Sequence, residues 1–533
     1  MTRIFSNKLL TLLGLLLILG AFITIYIVDQ PLSDRMPVTF MTSDGDSLSG
    51  TYYPGSEPKG VILLEGFGSD QVTMTTIARE FAYSNWHIFT FDFSGHGRSP
   101  GKLTFDNSQT DRLAQQILSA METFKELSSL RTDQVYMIGH SLGARVALQS
   151  ATINSEKVAG LVLLGTQVNL STNVQSEFFT GTIDTTLPWV QALGPDNPSV
   201  PILLVSGVWD DIITPENAEK LFSQLGGDKP GSNRKLVILP AVVHNYEPFS
   251  FQVLSVITKW INGFLPIPNS AIIRMICWIF GLAGIMMMLS FGNQWQRAIN
   301  GKSDRPIELE IIDVKRFLWG KLLLWLGAFP ISAILAGLFF LIPLPKPVFN
   351  LIYVGFISGY GTLLLVLYWR GKMPGVKGKL PFVTIRAPLD WKQVIFTLGI
   401  SIGVFILIAI YTRTGWFYTF PLNVRLLWLI IFTPFTALGF WIGLHESQML
   451  PQTHRVQIAN TLIGLFPFFL YSILMGALGS LSGMIGGIQG LIILWIVLIF
   501  GNFVQATGHR FWLTAFCMAS LLYWLILPQG VLF

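Results

Sequence analysis

Charge is scarce in this sequence. Asp, Glu, Lys and Arg make up 12% of its 533 residues, about half the share of an ordinary soluble domain. Cysteine is rarer still: Cys277 and Cys517 are the two present, and both lie in apolar runs. Residues 30–265 have none, which excludes a disulfide framework or a Cys-ligated zinc site there. The formal net charge of +5 is small for this length. With no Lys/Arg block interleaved with aromatics, nucleic acid is not an expected partner.

Apolar side chains, at 51%, are unevenly spread. Three regions are expected. Residues 1–30 form an N-terminal anchor segment, residues 31–266 hold most of the acidic residues and read as a water-soluble globule, and residues 267–533 form a chain of long apolar runs. A membrane span needs about 20 mainly apolar residues. Leu9–Val28 qualifies, follows Arg3 and Lys8, and lacks a small-x-small cleavage site after it. We read it as an uncleaved signal anchor in preference to a cleaved signal peptide. Eight further runs lie near 271–291, 317–343, 349–369, 393–411, 424–444, 460–480, 484–503 and 511–527. Glycines from Gly476 to Gly490 suit close helix packing around the short connection between the 460–480 and 484–503 runs.

Orientation follows from basic residues in the short loops. With a cytoplasmic N-terminus, loop 292–316 (Arg297, Lys302, Arg305, Lys315, Arg316) and loop 370–392 (including Arg370, Lys372, Lys377, Lys379) both fall inside, as do Arg455 and Arg510. Near the spans, the other side receives Arg274, Lys346, Arg413 and Arg425. The globule is then extracytoplasmic in a multi-pass membrane protein, and short loops without disulfides suit a bacterial plasma membrane. Ionisable residues are rare within the runs. Arg274, Lys321, His445 and Glu446 lie near expected span ends, where snorkelling accounts for them, so an ion-coupled transporter is disfavoured.

In the globule, short apolar runs at 38–42 and 48–53 flank a Ser-Asp-Gly-Asp turn, a hairpin signal. Strands are expected at 60–64, 87–92, 135–138, 158–164, 202–206 and 235–239. Helices are expected at 75–84, 107–127, 142–151, 216–225 and 249–264. This alternation predicts an α/β fold with a mostly parallel sheet covered on both faces, joined to an all-α transmembrane helical domain.

Gly139-His140-Ser141-Leu142-Gly143 fits G-x-S-x-G between an expected strand and an expected helix. In that context the serine sits on a sharp turn and the small flanking residues let neighbouring backbone pass close. Ser141 is the expected nucleophile. It needs a base and an orienting acid, in the chain order Ser, acid, His. Of His87, His96, His140 and His244, His244 alone follows Ser141 within the globule, and it is the expected base. The acid should stand after the 202–206 strand. Asp210, at G-x-x-D spacing from Gly207, is preferred. Asp211 is the alternative; otherwise it would bond loop amides. Two backbone N–H groups must face the developing oxyanion; they are expected from Leu142 and from Phe67 in the loop Glu65-Gly66-Phe67-Gly68.

Asp92-Phe-Ser-Gly-His96-Gly-Arg-Ser99 resembles the D-x-x-G-H-G-x-S loop of α/β-hydrolases. With GHSLG and the later Asp and His, residues 36–265 resemble the serine esterase, lipase and monoacylglycerol-lipase-like branch. The resemblance implies an α/β-hydrolase fold and an ester, thioester or amide hydrolase working through an acyl-enzyme, with no metal or organic cofactor. His96 and Asp92 would structure their loop. Many relatives have His-Gly where this chain has Glu65-Gly66, which adds an acidic residue beside the oxyanion loop. Segment 166–199 stands where relatives insert a cap. It is long enough for a small lid, in which Phe178, Phe179 and Trp189 would either line an acyl pocket or serve as packing. The expected substrate is a lipid, lysolipid or other acyl ester. An acyltransferase with the same triad, and a transporter or sensor with an accessory hydrolase-like domain, are the alternatives. Oligomeric state is not legible.

Overall fold

The computed structural model describes residues 2–104, 108–153, 156–166, 200–263, 270–300, 309–378, 391–413, 418, 420–451, 453–508 and 510–533. Helix α1 (Thr2–Val28) leads into an eight-stranded sheet built from β1 (Met36–Met41), β2 (Ser47–Tyr53), β3 (Gly60–Leu64), β4 (His87–Phe91), β5 (Val135–His140), β6 (Gly160–Leu164), β7 (Ile202–Gly207) and β8 (Arg234–Leu239). Its spatial order is β1-β2-β4-β3-β5-β6-β7-β8. The β1–β2 and β2–β4 pairs are antiparallel and the remaining pairs parallel. The helices between strands are α2 (Thr75–Ala82), α3 (Ser108–Ser128), α4 (Leu142–Ile153), α5 (Pro215–Gln224) and α6 (Phe251–Asn262).

Strand side chains alternate between the two faces, and each face has its own core. Ile62, Leu64, Phe89, Phe91, Met137 and Leu161 pack with Ile117 and Phe124 of α3 and Val146 of α4. On the other face Val61, Leu63, Ile88, Ile138, Val162 and Val205 pack with Ile77 and Phe81 of α2 and Ile257 of α6. Burial on both sides explains why β3 and β6 read as unbroken apolar runs.

The helical region comprises α7 (Ser270–Asn300), α8 (Val314–Leu338), α9 (Leu351–Arg370), α10 (Trp391–Arg413), α11 (Val424–Met449), α12 (His454–Gly464), α13 (Phe466–Ala477), α14 (Leu481–Gly508) and α15 (Phe511–Ile526). Seven described helices, α1 among them, are long and apolar enough to cross a membrane. The run expected as one span over 460–480 is instead α12 and α13, bent by 67°. Pro467 stands in the first turn of α13, where its missing N–H is harmless at a helix start but breaks a helix interior. The N-terminal helix is not a detached tether. It packs along α7, with Gly14 and Gly284 so close that a Cβ on Gly14 would lie 2.8 Å from the Gly284 carbonyl oxygen.

Snorkelling is likewise corrected. Arg274 is buried and bonds Asp29 Oδ2 at 3.0 Å; Asp29 Oδ1 in turn accepts from Arg79 Nε of α2 at 2.8 Å. Lys321 and Glu446 are both buried. Lys321 Nζ donates to Glu446 Oε2 at 2.6 Å and Asn460 Oδ1 at 2.7 Å, and Tyr368 OH donates to Glu446 Oε1 at 2.9 Å. These groups reach one another across helices, not water. A pair whose partners are also hydrogen-bonded is the form in which buried charge is tolerated.

Candidate active site

The elbow forms because β5 and α4 meet within one residue. Ser141 adopts φ +53°, a left-handed conformation that costs a non-glycine residue roughly 1–2 kcal/mol and turns its side chain out between strand and helix. Its N–H donates to Leu164 O at 2.8 Å, which ties the elbow to β6. Gly143 lets α4 settle on the end of β3, since a Cβ there would lie 2.4 Å from Glu65 O. The 65–68 loop thereby lies against the elbow: a Cβ on Gly66 would come within 3.3 Å of Ser141 Cβ. Leu142 and Phe67, the expected oxyanion donors, therefore flank Ser141 from α4 and from the β3 loop.

The residues expected as base and acid come from the neighbouring strand ends. His244 follows β8 and Asp210 follows β7; both are buried, and His244 Nδ1 lies 2.7 Å from Asp210 Oδ2. The other carboxylate oxygen of Asp210 accepts from Ile212 N at 3.0 Å and Ile213 N at 2.7 Å, which fixes the carboxylate. Asp211 points elsewhere. Its oxygens accept from Ser480 Oγ at 2.8 Å and Ser482 N at 3.0 Å, and from Ser482 Oγ. Its expected role as a binder of loop amides is thus replaced by contact with the helical region. Phe178, Phe179 and Trp189, and the lid around them, lie outside the described residues.

Two groups beside the pair were not singled out from sequence. His140, the variable residue of the elbow motif, sets Nε2 2.9 Å from His244 O and 3.6 Å from Glu247 Oε2. Burial, with the adjacent His244 adding to it, pushes His140 down to about 3, so it stays neutral. Glu247 is fully buried; burial and the Asp210 charge push its carboxyl well above the usual range. The His-x-x-Glu spacing from His244, one helical turn, was the available signal. Among the described residues, His140, His244 and Glu247 also bring ligand-type atoms within 4.8 Å of one another. Because His244 Nδ1 and His140 Nε2 are already engaged, a cation drawing on those nitrogens would displace these bonds.

Glu65 is buried with Asp70 and Asp92. Asp92 is raised by burial, yet it accepts from Gln71 N at 2.8 Å, Gln71 Nε2 at 3.0 Å and Arg98 N at 2.9 Å. Asp70 accepts two backbone N–H bonds, from Val72 and Tyr418, and Glu65 one, from Phe93; Asp92 accepts three, and we assign it the charge of the trio because N–H donors favour the ionised form. Burial and then Asp92 push Glu65 well up, which disfavours a charge beside the oxyanion loop. Burial and Asp92 also raise Asp70 to about 8. The folded state then binds a proton that the unfolded chain, near 3.8, has released. The Asp70 contribution to stability is complete below about pH 4 and is lost as pH rises through about 8. Thermal unfolding followed from pH 4 to 8 should fall less steeply in Asp70→Asn than in wild type; equal slopes would contradict the assignment.

Residues 56–199 match the family model described as serine aminopeptidase, S33. The chain is 32% identical over 117 residues to protein phosphatase methylesterase 1 of Candida albicans, covering 21% of this chain and 31% of that one. It is 27% identical over 139 residues to putative esterase/lipase 2 of Mycoplasma genitalium, covering 25% and 49%. The chain thus spans about a third to a half of these relatives' length. Among solved structures it is similar to a Pyrococcus furiosus esterase, at 17% identity and TM-score 0.36, covering 44% of this chain and 95% of that one. Sheet topology, elbow and family match define the class: the strand-bearing part of the chain has the α/β-hydrolase fold, and a helical region with several apolar helices follows it.

Proposed function

We propose that this chain is a membrane-anchored serine hydrolase that cleaves carboxylic esters of lipid, lysolipid or acyl type. The observation that carries the reading is the buried His244–Asp210 pair at 2.7 Å, held on the two strand ends next to the Ser141 elbow. Ser141 Oγ attacks the ester carbonyl as His244 takes its proton. The Leu142 and Phe67 amides stabilise the oxyanion, and the leaving alcohol takes the proton back from His244. Water, deprotonated by His244, then releases the acid. Asp210 holds the imidazole in the tautomer this needs. His140 and Glu247 back the pair, and burial disfavours a charge on either.

Residues 1–30 act as the anchor, 31–266 as the hydrolase domain and 267–533 as the membrane domain, with the hydrolase domain extracytoplasmic as the basic loops suggest. Apolar surface supports a lipid-like substrate. The Phe67 ring packs edge-on against Phe349 of the helical region at 5.9 Å and lies 5.9 Å from the C-terminal Phe533, so aromatic groups from the membrane half reach the oxyanion loop. The test is hydrolysis of p-nitrophenyl esters from acetate to palmitate, and of lysolipid in micelles, by the purified full chain. Activity rising with chain length supports the reading; hydrolysis of short esters alone contradicts the lipid assignment.

A further inference from the structure

The loops carrying Asp210 and His244 are both held by a single helix of the membrane half. Asp211, directly after the acid, accepts from Ser480 Oγ, Ser482 N and Ser482 Oγ, where α14 begins. A carboxylate is favoured there by the helix dipole. Burial opposes ionisation of Asp211, but the hydrogen bonds from Ser482 and Ser480 outweigh it and hold the carboxyl below its ordinary range. On the base side, Tyr246, two residues after His244, accepts at its hydroxyl from Gln489 Nε2. Ser482 and Gln489 are seven residues apart on α14, two turns along one face. The contacts close a ring: α14 to Asp211, Asp210 to His244 at 2.7 Å, and Tyr246 back to α14.

We propose that α14 is a working part of the catalytic site, with Ser480, Ser482 and Gln489 as positioning residues that set the Asp210–His244 geometry. The proposal rests on the Ser141–His244–Asp210 reading. None of the three touches the reacting atoms. They fix the separation of two loops whose side chains must meet within a few tenths of an ångström, and small misplacement of a catalytic group is enough to cost about 100-fold in rate. The membrane half then does more than tether the hydrolase domain, because a shift of α14 is transmitted directly to the base.

The test uses the full chain in detergent and compares wild type, the double variant Ser480→Ala/Ser482→Ala, the variant Gln489→Met, and Ser482→Thr, which keeps hydroxyl and amide. The readouts are the rate of fluorophosphonate labelling as a function of pH, and thermal unfolding. The double variant and Gln489→Met should each label about 10- to 100-fold more slowly. The midpoint of their pH profile should move to lower pH, because a base less closely held by Asp210 loses its proton more easily. Ser482→Thr should stay near wild type. A purely structural contact would lower the unfolding temperature and leave the midpoint in place. That result, or unchanged rates, overturns the proposal, and Gln489→Met decides the matter if the double variant does not fold. Wild-type protein that does not label at all refutes the triad itself, and the proposal with it.

Discussion

Replacing Asp210 with asparagine is expected to slow acylation of Ser141 by about 1,000- to 10,000-fold, the scale seen when a triad acid is replaced and the histidine tautomer is lost. The adjacent Asp211→Asn should cost far less. The two residues differ by one position in sequence and by their whole surroundings in space. Asp210 is buried against His244 Nδ1 and two backbone amides, whereas Asp211 is taken up by Ser480 and Ser482. Ester hydrolysis and probe labelling of the two variants, each checked for a cooperative unfolding transition, would rank them. The opposite ranking would assign Asp211 as the acid.

Gly165→Ala should be strongly damaging although it removes no polar group from the site. Gly165 has φ +49°, and a Cβ there would lie 2.5 Å from Glu247 Oε2 and 2.8 Å from the His244 ring. The left-handed backbone costs an alanine roughly 1–2 kcal/mol. Beyond that strain, the methyl group must push His244 or Glu247 aside. Displacing the base should lower labelling about 100-fold, with a folded protein remaining. Labelling at the wild-type rate would mean that the 165 loop yields and His244 does not depend on it.

The strands were legible because burial on both faces leaves unbroken apolar runs, and the elbow because its glycines and its strand-to-helix context coincide around Ser141. His244 as the expected base rests on chain order and Asp210 as the expected acid on spacing after β7; the structure brings the two within 2.7 Å. What escaped depends on contacts between distant positions. Asp211 meets Ser480 across 269 residues, and Tyr246 meets Gln489 across 243; no local pattern reports such pairs. Glu65 read as an added negative charge because the burial with Asp70 and Asp92 that disfavours its ionisation is not revealed by sequence. Lys321 and Glu446 lie near expected span ends, where long charged side chains ordinarily reach for water, but they find each other instead. Pro467 did not enter the reading of the apolar run over 460–480, and the chain bends by 67° just before it, where α12 gives way to α13.

The most direct measurement is fluorophosphonate labelling of the purified full chain, wild type against Ser141→Ala. An activated serine held by His244 and Asp210 requires that the wild type be labelled and the variant not. A folded wild type that remains unlabelled, or a variant labelled as strongly as wild type, would contradict Ser141 as the nucleophile and with it the hydrolase proposed here.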